Sequence, residues 1–154
     1  MQWQDQLLLC KRGIEPRRGK WTLPAGYLEN HETLPECASR EAREEACAEL
    51  EQLEPYALVD IPHISQVYMF YRCDLDDGSY GVGPESLESG LYSKQDVPWD
   101  EIAFPTVHHS LRFYFADRAR GRFEVHTLDL TRMPQRPRDR EVTTGDPPPR
   151  PPGV

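Results

Sequence analysis

The sequence predicts a single α/β domain in which helices cover a β-sheet. Its 154 residues suffice for one domain with a core of its own. Residues 65–75 carry apolar side chains on both faces of an extended segment, which is typical of a strand inside a covered sheet. Two stretches with helical patterns, one beginning at Glu32 and one at 104–117, can supply the covering layers.

The first predicted strand is the apolar run from Leu7 to Cys10, which leaves the core at Lys11. A loop over 13–20 follows and contains Arg17 and Arg18, the only adjacent arginines in the chain. Only six residues precede Leu7. We therefore expect no further strand before this one, and an unpaired sheet edge would favour dimerisation.

The first helix has the sequence signals of a capped N-terminus. Thr33 is a suitable cap, Pro35 suits the first turn, and Glu36 stands three residues after Thr33, as a capping box requires. The expected helix therefore starts beside Glu32 and continues through the acidic stretch that follows.

Three carboxylates share one side of this helix, because Glu41, Glu44 and Glu45 are spaced at three and four residues. Like charges at this spacing repel by roughly 0.2–0.5 kcal/mol per exposed pair, so a neutralising cation is favoured. All-oxygen ligands select hard cations, Mg²⁺ or Mn²⁺. The alternative is an ordinary solvated helix with Arg40 and Arg43 as local partners.

The later elements follow from the same patterns. Strands are predicted at 56–61, 65–75 and 90–93, and a last strand at 122–129. The helix at 104–117 is amphipathic, with one apolar face formed by Val107, Leu111 and Tyr114 or Phe115. The composition changes at Pro134, so we expect a domain over 1–133 and a disordered, proline-rich tail over 134–154.

Composition excludes several classes of function. The formal net charge of −8, with no basic cluster in the body of the chain, argues against binding to a nucleic-acid backbone. The four cysteines lack zinc-site spacing, and reduced thiols are the simpler interpretation. No apolar run reaches membrane length, so a cytoplasmic protein without membrane partners is expected.

The spacing around the acidic helix resembles the signature of the Nudix hydrolases. Gly26 is followed after five residues by Glu32 and, after seven more, by Arg40-Glu41-Ala42-Arg43-Glu44-Glu45. The preceding residues 21–26 also resemble the family's approach to its loop. Cys47 departs from the pattern, because the family has a glycine there that usually ends the helix in a left-handed conformation.

This resemblance implies the Nudix α/β/α sandwich, with a mixed sheet between helices, here expected to lack the usual first strand. It implies a catalytic metal, Mg²⁺ or Mn²⁺, held by Glu41, Glu44 and Glu45, with the Ala25 carbonyl and Glu88 as further ligands. The general base would be Glu45 or Glu88, and Glu85 is the second choice for the place that Glu88 occupies just ahead of a late strand.

The resemblance also assigns supporting roles. Arg40 would orient Glu41, and Glu32 would brace the loop. Arg17, Arg18 and Trp21 are candidate substrate contacts, although a solvated turn explains the two arginines at least as well.

Residues 85–104 resemble those of a subgroup that hydrolyses FAD and ADP-ribose. The expected function is therefore a metal-dependent pyrophosphohydrolase that cleaves the diphosphate of such a nucleotide and releases AMP. The alternatives are a non-catalytic module that senses ADP-ribose or a related nucleotide, and an enzyme that sanitises nucleoside triphosphates. A homodimer is a further expectation, because many relatives of this kind dimerise.

Overall fold

A mixed seven-stranded sheet lies between two α-helices in the computed structural model, which describes residues 1–131. The elements in chain order are β1 (Gln2–Trp3), β2 (Gln6–Arg12), β3 (Trp21–Thr22), α1 (Leu34–Ala46), β4 (Leu50–Ile61), β5 (Gln66–Leu75), β6 (Ser86–Tyr92), α2 (Pro105–Arg120) and β7 (His126–Asp129). Short 3₁₀ turns occupy Pro62–Ile64 and Trp99–Glu101. The predicted α/β class and mixed sheet are confirmed, whereas the predicted tail over 134–154 lies outside the described residues.

The sheet has two halves, one formed by β6, β2, β3 and β1 and the other by β5, β4 and β7, and they separate at one end. The strand order is β3-β2-β1-β5-β4-β7, with β6 on the other side of β2. Strand β1 pairs antiparallel with β2 and parallel with β5, through Gln2 and Asp74 in the latter case. Since β1 has only two residues, it joins the halves at one end only. Farther along β2, the neighbouring strand is β3 instead of β1. Among the described residues, β3 does not pair with β5. The two halves therefore diverge toward the end where the acidic helix and its loop lie.

The expectation that no strand precedes β2 is wrong, although the strand found there is minimal. Gln2 lies opposite Leu7 and Trp3 opposite Gln6 across the tight turn between β1 and β2. The Gln2 side-chain amide also donates to Asp74 at 2.5 Å. Two residues carry no readable alternation, which is why the pattern did not reveal this strand.

Strand boundaries differ from the prediction at three places. Strand β4 begins at Leu50, six residues early, because its first half is largely exposed and its register shifts twice, which interrupts the alternation. Strand β6 begins at Ser86 instead of 90, and β7 begins at His126 instead of 122. The second helix runs three residues beyond the predicted end and stops at Gly121, whose left-handed φ of 69° ends it.

Successive side chains of β2 lie on opposite faces of the sheet and contribute to two separate hydrophobic cores. Leu7 and Leu9 pack with the α2 face, where the predicted apolar residues Val107, Leu111, Tyr114 and Phe115 are all buried. Leu8 and Cys10 pack on the opposite face against Ala46 and neighbouring residues at the end of α1. Within residues 1–131 no helix is long and apolar enough to cross a membrane.

Candidate functional site

The acidic helix begins as its sequence predicts. Thr33 is the N-cap of α1, and the Glu36 carboxylate accepts a hydrogen bond from the Thr33 backbone N–H at 2.8 Å. Pro35 lies in the first turn, where no intrahelical N–H is required. This cap fixes the helix start and therefore the direction in which the later carboxylates project.

Arg40 connects several acidic side chains of the site to one another. Its guanidinium forms a bidentate pair with Glu32, with distances of 2.8 and 3.0 Å, and also reaches the carboxylates of Glu41 at 2.5 Å and Glu44 at 3.2 Å. It donates in addition to the Tyr27 carbonyl at 3.1 Å. The predicted orienting contact from Arg40 to Glu41 is thus present in the structure.

Glu32 ties the loop to the helix. Besides its pair with Arg40, its carboxylate accepts the Glu29 backbone N–H at 3.0 Å. The hydrogen bonds from Arg40 and Glu29 lower the pKa of Glu32 to about 2. The predicted bracing of the loop by Glu32 agrees with this geometry, and the charge on Glu32 persists through the whole neutral range.

Gly26 permits the close approach of loop and helix. A Cβ added at this position would overlap the Glu41 carboxylate, which Arg40 holds in place. One residue earlier, the Ala25 backbone N–H donates to Glu45 at 3.3 Å. The loop before α1 therefore closes over two of the three predicted metal ligands.

The three carboxylates of the cluster differ in burial. Glu44 has a largely exposed side chain, Glu41 is mostly covered, and Glu45 is buried with 8% of its surface accessible. Burial raises the pKa of Glu45 to about 7; the Ala25 N–H opposes this shift, while the charge of Glu41 adds to it. The cluster thus contains a carboxylate whose negative charge is poorly compensated by the protein.

The donor chemistry of the cluster fits a hard divalent cation. Arg40 occupies one oxygen of Glu41 and one of Glu44, and Ala25 occupies one of Glu45, while no side chain or backbone donor among residues 1–131 bonds the other three oxygens. The same residues do not form a preassembled site, since no group of three or more acidic, histidine or cysteine side chains in the described part of the chain is arranged to hold a metal ion. Free carboxylate oxygens and a poorly compensated charge are the features that a cation would complete.

Helix α1 ends in the left-handed conformation even though the residue there is not glycine. Cys47 has φ 49° and ψ 35°, and its N–H bonds back to the Arg43 carbonyl at 3.1 Å. The chain therefore keeps the helix end that the family pattern implies and accepts the strain of a Cβ in this region. Its thiol is exposed and not disulfide-bonded.

Replacing Cys47 by glycine is expected to preserve or raise stability, by up to about 1 kcal/mol, because glycine has no Cβ to strain at positive φ. Urea unfolding at equilibrium measures the effect. Cys47→Ala is the matched control, since it removes the thiol but keeps the Cβ and should not be stabilising. A clear loss of stability in Cys47→Gly alone would show that the helix ends differently.

Glu88 lies inside a strand, which corrects the expected loop position. It is the third residue of β6, opposite Lys11, and its exposed carboxylate pairs with the Lys11 ammonium at 3.4 Å. The acidic residue of this segment that acts on the cluster is Glu85, whose charge adds to the effect of burial on the pKa of Glu45. The segment is anchored nearby, because the Ser86 hydroxyl donates to the Glu45 carbonyl at 2.8 Å.

The three predicted substrate contacts are not brought together. Arg17 and Arg18 are exposed in the loop between β2 and β3. Trp21 is only 4% exposed; it packs edge-on against Tyr92 with ring centroids 5.0 Å apart. Trp21 thus belongs to the hydrophobic core on the α2 side of the sheet, and its role as a substrate contact stays a prediction.

Arg12 is a candidate site residue that sequence reasoning missed. Its guanidinium lies 5.1 Å from the centroid of the Phe104 ring and donates to the Pro16 carbonyl at 2.8 Å. Arg12 lies opposite Ser86 in the pairing of β2 with β6, and Ser86 bonds the Glu45 carbonyl, so Arg12 is near the end of α1 that carries the acidic cluster. The available sequence signal was a cation at the end of the β2 segment, just after its apolar run.

Comparisons with known proteins agree with this geometry. The NUDIX domain profile matches residues 2–103. A NUDIX hydrolase crystal structure from Nitrosomonas europaea superposes with a TM-score of 0.80 and 48% identity, covering 83% of this chain and 73% of the other. The fold and the family thus rest on independent observations.

Curated relatives point the same way. The chain is 46% identical over 111 residues to the 8-oxo-dGDP phosphatase NUDT18 of Homo sapiens, covering 68% of this chain and 33% of that protein. It is 28% identical over 93 residues to the NAD-capped RNA hydrolase NudC of Photobacterium profundum, covering 59% and 34%. The chain spans about a third of the length of these relatives. With its acidic helix, its glycine loop and the profile match over most of its length, this chain belongs to the NUDIX family.

Proposed function

We propose that the chain is a metal-dependent pyrophosphohydrolase that cleaves the diphosphate of a nucleotide such as FAD or ADP-ribose and releases AMP. The observation that carries the proposal is the arrangement on α1, where Arg40 holds Glu41 and Glu44 and the preceding loop closes on Glu45. The relative NudC, named for hydrolysis of NAD-capped RNA, supports a substrate in which a diphosphate joins two groups.

The residues divide into those that bind a cation and those that hold them. Glu41, Glu44 and Glu45 would bind Mg²⁺ or Mn²⁺, with the Ala25 carbonyl and Glu88 as the further candidates. Such an ion supplies neutralisation of the diphosphate charge and activation of water for attack on phosphorus. Arg40 holds the carboxylates of Glu41 and Glu44 through ion pairs, and Glu32 keeps Arg40 in place.

Proton transfer requires one carboxylate with a free oxygen within hydrogen-bond reach of the attacking water. Glu45 accepts a single backbone hydrogen bond and lies under the loop, so it can take the proton of the attacking water. Arg12, which lies opposite the Ser86 whose hydroxyl bonds the Glu45 carbonyl, is suited to contact the phosphate that leaves.

The base assignment predicts different effects for two substitutions. Glu45→Gln should lower kcat by about 10²–10⁴-fold, which is the usual contribution of general base catalysis, whereas Glu88→Gln should change it less than about tenfold. Steady-state kinetics at saturating Mg²⁺ would measure both. The opposite ranking would assign the base to Glu88 despite its pairing with Lys11.

A second candidate function is hydrolysis of an oxidised nucleotide. The 46% identity to a protein named for its action on 8-oxo-dGDP favours it. It uses the same carboxylates on a nucleoside diphosphate, so substrate specificity alone separates the two candidates.

The deciding experiment is an assay of nucleotide release from FAD, ADP-ribose and 8-oxo-dGDP, with Mg²⁺ at about 5–10 mM to fill a weak site and a chelator control. We expect AMP from FAD or ADP-ribose that disappears with chelator. Exclusive release of 8-oxo-dGMP would select the second candidate. Binding of ADP-ribose without turnover, by a folded sample, would overturn both and indicate a sensor.

A further inference from the structure

Two tyrosines hold a glutamine amide at the open end of the sheet. The Gln66 Nε2 donates to the Tyr27 hydroxyl at 2.9 Å, and the Tyr68 hydroxyl donates to the Gln66 Oε1 at 3.2 Å. Each contact uses one of the two hydrogen-bonding positions that each amide atom offers. Among the described residues nothing bonds the remaining N–H and the remaining lone pair, so the amide presents one donor beside one acceptor.

An aromatic face adjoins this amide. Tyr68 and Phe70 stack at 6.3 Å between ring centroids with an interplanar angle of 21°. Both alternate with Val67 along β5, so they share the strand face of Gln66, while Val67 lies on the other face and is 63% exposed. Across the opening, Tyr27 is 79% exposed as a residue, although its hydroxyl accepts a hydrogen bond from Gln66.

The amide lies within a nucleotide's reach of the acidic cluster. Tyr27 follows Ala25 by two residues, a span of at most about 7 Å, and Ala25 bonds Glu45. Arg12 lies opposite Ser86 in the pairing of β2 with β6, and the Ser86 hydroxyl donates to the Glu45 carbonyl at 2.8 Å, so Arg12 comes from the strand that lies beside the acidic cluster. The loop that contacts Glu45 through Ala25 is thus the same loop that contacts the Gln66 amide through Tyr27.

We infer that Gln66, Tyr68 and Phe70 form the site for the purine base of the substrate, with Tyr27 as the residue that positions Gln66. Stacking rings beside a donor–acceptor pair are the usual means of recognising an unpaired base, and a glutamine amide complements the N6 donor and N7 acceptor of adenine. This inference rests on the proposed function, because it takes the diphosphate to lie at Glu41, Glu44 and Glu45. Adenine and 8-oxoguanine both present a donor beside an acceptor, so both candidate functions use this site.

The test is equilibrium binding of AMP, 8-oxo-dGMP and ribose 5-phosphate to the full chain by isothermal titration calorimetry, with chelator present. Wild type should bind one purine nucleotide at least about tenfold more tightly than ribose 5-phosphate, given the contribution of base stacking. Gln66→Ala and Tyr68→Ala should each abolish most of this preference without changing the affinity for ribose 5-phosphate. Tyr27→Phe should reduce it less, because the ring remains and only the tether to Gln66 is lost.

Val67→Ala is the matched control, since it truncates the neighbouring side chain on the opposite face of β5 and should leave all three affinities unchanged. Equal affinity of wild type for AMP, 8-oxo-dGMP and ribose 5-phosphate would overturn the inference, as would Gln66→Ala and Tyr68→Ala variants that are folded and keep the preference. This test measures binding and not turnover, so the two proposals can fail separately. If the protein hydrolyses its substrate but the Gln66 variants keep the preference for purine nucleotides, only the base site is refuted. If the preference depends on Gln66 but no substrate is hydrolysed, only the proposed function is refuted.

Discussion

Replacing Glu44 by glutamine is expected to lower kcat at least about a hundredfold while the fold survives. The substitution keeps the shape of the side chain and removes one negative charge from the cluster on α1, where binding of a cation depends on that charge. The carboxylate is 59% exposed and its only side-chain partner in the described part of the chain is Arg40, so little folding energy depends on it. Steady-state hydrolysis with varied Mg²⁺ measures the effect.

Glu49→Gln is the control for this substitution. Glu49 has nearly the same exposure, 61%, and also pairs with an arginine of α1, Arg43, but it lies beyond the helix end. Its loss should leave turnover unchanged, and circular dichroism should show both variants folded. Near-normal turnover of Glu44→Gln would refute the role of this carboxylate in binding the metal.

The site on α1 was predictable because its information is local. A cap, a proline in the first turn and carboxylates at spacings of three and four specify a helix and one of its faces without reference to the rest of the chain. Glu32 and Arg40, which are eight residues apart, still lie within one loop–helix unit, where the structure pairs them although the sequence predicted separate roles for them. The left-handed end at Cys47 follows from the same local pattern despite the missing glycine.

The opening of the sheet was not predictable in this way. Arg12 and Gln66 come from strands in different halves of the sheet, and their relation to Glu45 depends on β1, whose two residues carry no pattern. Glu88 was predicted just ahead of a strand because the segment from Ser86 to Gly90 is mostly polar and its start is largely exposed. Such a segment resembles a loop in the sequence, although in the structure it pairs with β2. Strand pairing, unlike helix capping, is decided by the partner.

The second large effect is expected far from the site, at Asp117 in α2. This carboxylate is fully buried and accepts hydrogen bonds from the Tyr56 hydroxyl at 2.8 Å and from His126 Nε2 at 2.7 Å, and it also pairs with Arg120. It thereby links α2 to β4 and β7. Asp117→Ala should reduce the free energy of unfolding by about 3–5 kcal/mol, because it leaves buried partners without their acceptor.

Asp5→Ala is the matched control, since Asp5 also pairs with an arginine of α2, Arg118, but its side chain is 87% exposed. Its loss should cost less than about 1 kcal/mol. Urea unfolding at neutral pH measures both variants. Equal and small effects would mean that the buried carboxylate contributes no more than a surface pair.

The pH dependence of stability gives an independent check on Asp117. Burial alone would raise its pKa, but hydrogen bonds from His126, Tyr56 and Arg120 prevail and lower it to about 2, from 3.8 when unfolded. A depressed pKa in the folded state stabilises the protein above about pH 4, and this contribution, about 2–3 kcal/mol, is lost as the pH falls toward about 2. Asp117→Asn should therefore lose less stability than wild type between about pH 5 and pH 2. Parallel losses in the two proteins would show that Asp117 keeps an ordinary pKa in the folded state and that other carboxylates cause acid unfolding.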